Sequence, residues 1–309
     1  MNILGTGLSG LVGSRITELL NDHSFENIST STGVDITDLE QVKNAFKKSS
    51  AEIVLHLAAK ADVDGCEKDK KWDTQILGYE DLAKREMEWR EKKTAWAVNV
   101  MGTKNIVKAC EEYGKKLIYI STDFVFSGDD QPENGYSEKD LPNPVNWYGE
   151  TKHEGEKVIQ ESAISSVIAR IAYPYRAVFH KKDFVRAVLG KLQGGASLSM
   201  VTDHLMAPTF IDDIAMSIDL LLKNNVSGIY HVVGSTEISP FDAATMIANK
   251  FQISDPVIEK TTRAEFFKDR APRPFQLYLR NDRIVQLGVK MRGLDEGLEE
   301  IKTQSSQSS

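Results

Sequence analysis

The sequence predicts an α/β fold, a doubly wound parallel sheet followed by a smaller carboxy-terminal α/β substrate lobe. Three observations predict it. A short apolar strand, Asn2 to Gly5, runs directly into glycines at positions 7, 10 and 13 and then into a helical pattern. Strand-like and helix-like runs then alternate through the first half of the chain, as crossover-connected parallel strands do. An apolar, β-branched run, Lys116 to Ser121, ends in hydroxyl residues, as a strand buried on both faces does.

Residues 1–20 read as strand, turn, helix. Gly7, Gly10 and Gly13 allow a tight turn, close approach to a pyrophosphate and close helix-strand packing, and the amino terminus of the helix carrying Leu11, Ile16, Leu19 and Leu20 faces the anion. This is a Rossmann-type dinucleotide site at the start of the chain. Ile28 to Thr32 reads as a short strand and Asp38 to Lys48 as a helix. Between them, Asp35 and Ile36 lie where an adenine can be hydrogen-bonded, although Asp35 also suits a helix-capping turn. The second strand's end, Ser29-Thr30-Ser31-Thr32, lacks the acid that holds a ribose 2′-hydroxyl in NAD-selective sites. NADPH is therefore expected to bind at least as well as NADH, with Arg15 a candidate phosphate ligand or a solvated helix residue.

Glu52 to Leu57 reads as a strand whose small exit residues, Leu57-Ala58-Ala59, let ribose and phosphates lie close. Residues 70–113 are helix-rich. Within them the charged stretch Lys68 to Lys93, with Trp72, Trp89 and Trp96 in or beside it, predicts an elongated helix or helical hairpin with a solvated face and an apolar seam. Whether it is a plain surface insertion, covers the active site or meets a partner stays open.

Pro142 and Pro144 break the chain, Asn146 is a candidate N-cap, and residues 146–162 read as a helix. Tyr148 and Lys152 are spaced i, i+4 on it and so are neighbours. A cation beside the phenol is expected to pull its pKa below the usual value of about 10, giving an acid or base usable near neutrality. Ser121 and Thr122 arrive at a strand's carboxyl end, where ligands of such sheets sit, with Asp123 beside them. Further on, Ser166 to Ile171 predicts a strand, Ala172-Tyr173-Pro174 a turn able to close over a nicotinamide, 183–193, 212–223 and 240–251 helices, and Ile229 to Val233 a strand. Arg263, Arg270 and Arg273 offer guanidinium groups for phosphate. The expected domains are a dinucleotide-binding domain at 1–172 carrying the catalytic residues and a substrate lobe at 173–302 with segments returning to the sheet. A disordered Ser/Gln tail is expected at 303–309.

The 309 residues are 41% hydrophobic, enough for a substantial core. A net charge of −7 argues against a nucleic-acid or anionic-membrane surface. Two cysteines, no signal-like amino terminus and no long apolar run predict a cytoplasmic protein without disulfides. The six histidines form no metal-ligand pattern.

Glycines 7, 10 and 13, His56-Leu-Ala-Ala59, Asn99-Val-Met-Gly-Thr103, Ser121-Thr122-Asp123, Tyr148 to Lys152 and Pro208-Thr-Phe-Ile-Asp-Asp213 together resemble an extended short-chain dehydrogenase/reductase over residues 1 to about 290. Ser121 to Gly128, and Arg273-Pro274 followed by Asp282, most resemble the dTDP-4-dehydrorhamnose reductase group. The resemblance implies reduction, with NADPH or NADH, of a keto group on a nucleotide-linked deoxysugar. It makes Tyr148 the proton donor, Lys152 its pKa-lowering and ribose-binding partner, and Thr122 the hydroxyl that aligns the carbonyl. Asp123, Phe124 and Arg273 join Thr122 at the substrate. Cofactor contacts fall to Gly7, Gly10, Leu11, Gly13, Asp35, Ile36, Leu57, Ala58, Ala59, Asn99, Tyr148, Lys152 and Tyr173, with Asn99 organising the elements around the lysine. Related dehydratases carry a glutamate where this chain has Phe124, so dehydration lacks its base. The regulatory β subunit of methionine adenosyltransferase shares much of the pattern. A cofactor-binding regulatory subunit is therefore the alternative, as is another nucleotide-sugar epimerase or reductase. A homodimer is the assembly left open.

Overall fold

The structure, a computed structural model, describes residues 1–307. The elements run β1 (Asn2–Thr6), α1 (Leu11–Leu19), β2 (Ser24–Ile28), α2 (Leu39–Lys48), β3 (Ile53–His56), α3 (Val63–Leu77), α4 (Leu82–Lys92), α5 (Thr103–Tyr113), β4 (Lys116–Thr122), α6 (Trp147–Gln160), β5 (Ser166–Ile171) and β6 (Pro174–Tyr175). Then come α7 (Phe184–Gln193), β7 (Leu198–Val201), β8 (Thr209–Phe210), α8 (Ile211–Lys223), β9 (Gly228–His231), α9 (Pro240–Lys250), β10 (Ile258–Thr261), α10 (Arg263–Phe266), α11 (Asp282–Gln286) and α12 (Leu294–Gln307).

Six strands form one sheet in the order β2-β1-β3-β4-β5-β9. The β1/β2, β1/β3 and β3/β4 pairings are parallel, so the doubly wound expectation holds. Because β2 and β3 flank β1 on opposite sides, the chain direction switches beyond the carboxyl ends of β1 and β3. Ligands of such sheets bind in that crevice. A buried bracket fixes this edge: the Thr6 hydroxyl lies 2.6 Å from His56 Nδ1, and Thr103 Oγ1 lies 3.2 Å from Nε2. Burial first, and then the charge of Lys152, pushes the His56 pKa down to about 3, so the ring stays neutral.

The second strand departs from its expected place. It covers Ser24–Ile28, and Thr30–Thr32 is a single 3₁₀ turn instead. The hydroxyls there bond locally: Ser29 N donates to Thr32 Oγ1 at 2.9 Å, and Thr32 Oγ1 donates to Asn27 O at 3.2 Å. Such side chains offer the backbone an alternative to a ladder.

By contact density the chain forms two compact units, one of residues 1–125, 142–169 and 225–229, the other of 126–141, 170–224 and 230–309. Residues 126–141, expected in the first domain, group with the second. In the first unit Leu4, Val54, Leu117 and Ile168 from the sheet pack with Val42, Phe46, Ile106 and Ile159 from its helices. In the second, Tyr175, Val188, Met206, Phe210 and Ile247 form a separate core, closed by Leu294, Leu298 and Ile301 of α12. That helix corrects the expected tail: residues 303–307 continue α12, because its amino-terminal half is pinned by those three side chains, and Ser308 and Ser309 lie outside the described residues. Among the described residues no helix is long and apolar enough to cross a membrane.

The stretch at 68–93 is a helical hairpin, α3 and α4, with Asp81 capping α4 through Ala83 N (2.9 Å) and Lys84 N (3.1 Å). Its apolar seam is Ile76 and Trp89, whereas Trp72 stays 44% exposed.

Candidate active site

At the switch point Gly7 has φ +71, and a Cβ there would lie 2.7 Å from Ala58 N. Only glycine lets the β1 turn approach the β3 exit this closely. A Cβ on Gly13 would lie 2.6 Å from Gly7 O, so α1 packs directly on the turn. Gly10 occupies the N-cap of α1, with no side-chain cap and no acid in the first turn. An uncapped helix start over a glycine turn, beside small Ala58 and Ala59, fits a dinucleotide's pyrophosphate.

Asp35 serves its own turn, accepting from Thr37 N at 2.9 Å and Thr37 Oγ1 at 2.7 Å, while its other oxygen pairs with Lys93. The buried Ile36 gives its carbonyl to Asn105 Nδ2 at 2.9 Å and packs on Gly102.

Asn146 caps α6 by accepting from Gly149 N at 2.8 Å. This start places Tyr148 beside the end of β4, where Phe124 meets its ring edge-on at 5.8 Å. Thr122 donates to Asp123 Oδ1 at 2.9 Å. The Asp123 carboxyl is buried, with Oδ2 unpartnered, and burial pushes its pKa up to about 7. Ser121 is buried with its hydroxyl unpartnered.

The expected lowering of the Tyr148 pKa is corrected. Burial raises it above the usual phenol value, the Thr122 hydroxyl opposes this, and Asp123 and Cys66 add to the rise. Lys152 instead donates to Ile120 O at 2.7 Å and stands 3.9 Å over the Tyr119 ring. Desolvation lowers its pKa to about 7, against a raising effect of Glu156. Adjacency on the helix surface put the ammonium near the phenol, yet its long side chain reaches inward to β4.

Asn99 lies in a π-helical turn, Ala97–Gly102, leading into α5. Its amide ties the β3 exit to α6: Nδ2 donates to Lys60 O and to Thr151 Oγ1, both at 3.0 Å, and Oδ1 accepts from Lys60 N at 2.8 Å. Thr151 immediately precedes Lys152.

The RmlD substrate binding domain model matches residues 1–86 and 76–306. The chain belongs to that family. Among RmlD-family relatives, dTDP-4-dehydrorhamnose reductase of Escherichia coli is 29% identical over 257 residues, covering 80% of this chain and 77% of the relative. The methionine adenosyltransferase 2 subunit beta of Mus musculus is 24% identical over 292 residues, covering 89% and 79%. A solved dTDP-4-dehydrorhamnose reductase from Bacillus anthracis, in complex with NADP, superposes with a TM-score of 0.84 at 26% identity, covering 98% of this chain and 99% of that one.

Two further residues expected at the site, Tyr173 and Arg273, belong to the second unit. Tyr173 holds φ +38, rare for a side chain of its size, and its hydroxyl lies 2.8 Å from His204 Nε2. Arg273 donates to Ala271 O at 2.6 Å and stacks over Phe267, while Arg263 stacks over Phe275. Sequence reasoning missed Gly149 as a working residue. A Cβ there would lie 2.1 Å from Phe124 O, so this glycine lets α6 rest on the β4 exit. Its place directly after Tyr148 was the available signal.

Proposed function

We propose that this chain reduces the keto group of a nucleotide-linked 4-keto-6-deoxysugar with NADPH, as its reductase relatives are named for doing. The observation that carries the reading is the buried Tyr148 phenol packed edge-on against Phe124 at the carboxyl end of β4, where the Thr122 hydroxyl and the Asp123 carboxyl also lie. There Tyr148 holds its proton at neutral pH, since burial disfavours the phenolate, and it gives that proton to the carbonyl oxygen as charge develops. Thr122 aligns the carbonyl, and Phe124 walls the site against water through its edge contact with Tyr148. Lys152, held to β4 through Ile120 O at 2.7 Å, would serve as the cofactor's ribose-binding group.

Gly7, Gly10, Leu11 and Gly13 would hold the cofactor's pyrophosphate, Leu57, Ala58 and Ala59 its ribose and phosphates, and Asp35 and Ile36 its adenine, with Lys152 toward the nicotinamide. Bound there, the reduced nicotinamide supplies the hydride. Asn99 acts through Lys60 and Thr151 to hold Lys152 in place. Asp123 joins Thr122 and Phe124 as a substrate contact. A cytoplasmic location accords with two free, buried thiols.

The test is NADPH consumption by the purified protein across dTDP-, UDP-, GDP- and CDP-linked ketosugars. Turnover with a dTDP-4-keto-6-deoxyhexose is expected, and none with any member of the panel would overturn the reading. The likeness to the methionine adenosyltransferase subunit favours a second reading, a cofactor-binding regulator. It predicts no turnover and co-purification of an enzyme partner, lost when the exposed hairpin residues Trp72, Leu82 and Met87 are changed to alanine.

A further inference from the structure

We infer that the α3/α4 hairpin is part of the catalytic scaffold, with Glu67 and Asp73 of α3 acting as positioning residues for Tyr148 through its neighbour Trp147. This rests on the reductase reading for its kinetic consequence and on contacts for its geometry. Trp147 is the first residue of α6, so its backbone N–H is one of the four that a helix start leaves without an internal partner. Glu67 Oε2 accepts it at 2.8 Å, which also places a negative charge at the positive end of α6.

The indole is held as firmly. Asp73, 0% exposed, accepts from Trp147 Nε1 at 2.8 Å through Oδ2, which also accepts from Trp96 N at 3.1 Å, and its Oδ1 accepts from Thr94. Burial raises the Asp73 pKa, and the bonds from Thr94, Trp147 and Trp96 oppose the rise. A buried carboxylate with every oxygen bonded specifies one arrangement of its donors, and its loss leaves them unsatisfied.

Packing reinforces the two bonds. Trp96 lies between Trp89 of α4, at 6.2 Å and 23°, and Trp147, at 5.8 Å and 24°. Cys66 and Leu77 of α3 pack in the same cluster as Trp147 and Tyr148. α3 therefore packs directly on the residue before the phenol, and α4 reaches it through Trp96. With Asn146 holding Gly149 N from below and Glu67 holding Trp147 N from the side, the first turn of α6 has little freedom to rotate Tyr148 away from Thr122.

The test uses the full chain, with Glu67→Ala, Glu67→Gln, Asp73→Asn and Trp147→Phe. Three quantities are read: kcat and KM for the ketosugar, NADPH affinity by fluorescence, and amide hydrogen exchange over residues 146–152. Displacing a catalytic group by a fraction of its bond length costs rate rather than affinity, so kcat is expected to fall about tenfold or more in Glu67→Ala and Trp147→Phe. NADPH affinity stays near wild type, and exchange at 146–152 speeds up. Glu67→Gln, which keeps an acceptor for the same N–H, recovers most of the rate lost in Glu67→Ala. Asp73→Asn keeps one oxygen for the two N–H donors and turns its NH2 to the Thr94 hydroxyl, so it is expected to lose less rate than Trp147→Phe; should it fail to fold, Trp147→Phe carries the test. A wild-type protein inactive on every ketosugar defeats the reductase reading, and the exchange measurement then still decides the anchoring. Unchanged exchange in Glu67→Ala and Trp147→Phe, or faster exchange with kcat unmoved in an active enzyme, overturns the inference.

Discussion

Around the end of β4 two buried groups change charge close to neutrality, Asp123 with its pKa raised to about 7 and Lys152 with its pKa lowered to about 7. Their effects on stability have opposite windows. Between the ordinary carboxyl value of 3.8 and about 7, folded Asp123 holds a proton that the unfolded chain has lost, so its contribution to stability falls as pH rises. Between about 7 and 10.5 the unfolded chain holds a proton that folded Lys152 has released, so stability recovers as pH rises. Urea midpoints measured from pH 4 to 10 are expected to show Asp123→Asn flattening the first limb and Lys152→Met the second. Limbs unchanged in both variants would contradict the burial assigned to these groups. Residue types and the i, i+4 spacing were legible in the sequence. The direction of the Tyr148 pKa was not, because it depends first on burial and then on Asp123 and Cys66, which only the fold brings to the phenol.

The helix α6 shows how an element's position is set by what is missing from it. Gly149 puts no side chain between α6 and Phe124 O, and a Cβ would come within 2.1 Å of that oxygen. Gly149→Ala is expected to cost about 1–3 kcal/mol, as overpacking does, and to lower kcat by moving Tyr148 from Thr122. A thermal midpoint and kcat equal to wild type would show that the helix does not rest where the structure places it. Strong periodic elements such as α2, α6 and α8 were legible to within a residue or two, since capping and apolar spacing are local. The β2 strand was not: Ser24, Glu26 and Asn27 on a half-exposed edge carry no apolar signal, and the hydroxyl run after it folds on itself. The hairpin's existence was legible, but its role was not, because Asp73 and Trp147 are far apart in sequence.

For the molecule as a whole, alternation of strands and helices was enough to predict the doubly wound sheet. The division into units was harder, because 126–141 and 225–229 each join a unit remote from their sequence neighbours. The glycine turn and the acid-free Ser29 to Thr32 segment belong to the first unit, where Arg15 is drawn to Glu18 at 3.2 Å. The Ser29, Thr30 and Ser31 hydroxyls, none of them buried, and the lack of an acid at that corner are expected to let NADPH bind at least as tightly as NADH. Fluorescence titration with both cofactors checks this, and a strong NADH preference would contradict it. Saturating NADPH should also raise the thermal midpoint, by the equivalent of about 2.7 kcal/mol at a hundred times its Kd.

The central claim is that Tyr148 donates the proton in a ketosugar reduction. Its most direct test is a comparison of wild type and Tyr148→Phe, measured as NADPH oxidation on a dTDP-4-keto-6-deoxyhexose with NADPH affinity determined in parallel. General acid catalysis is worth about 10² to 10⁴ in rate, so the variant should lose at least about a hundredfold in kcat. Its NADPH affinity should remain near wild type, since the glycine turn is untouched. A Tyr148→Phe enzyme that turns over at the wild-type rate would contradict the account.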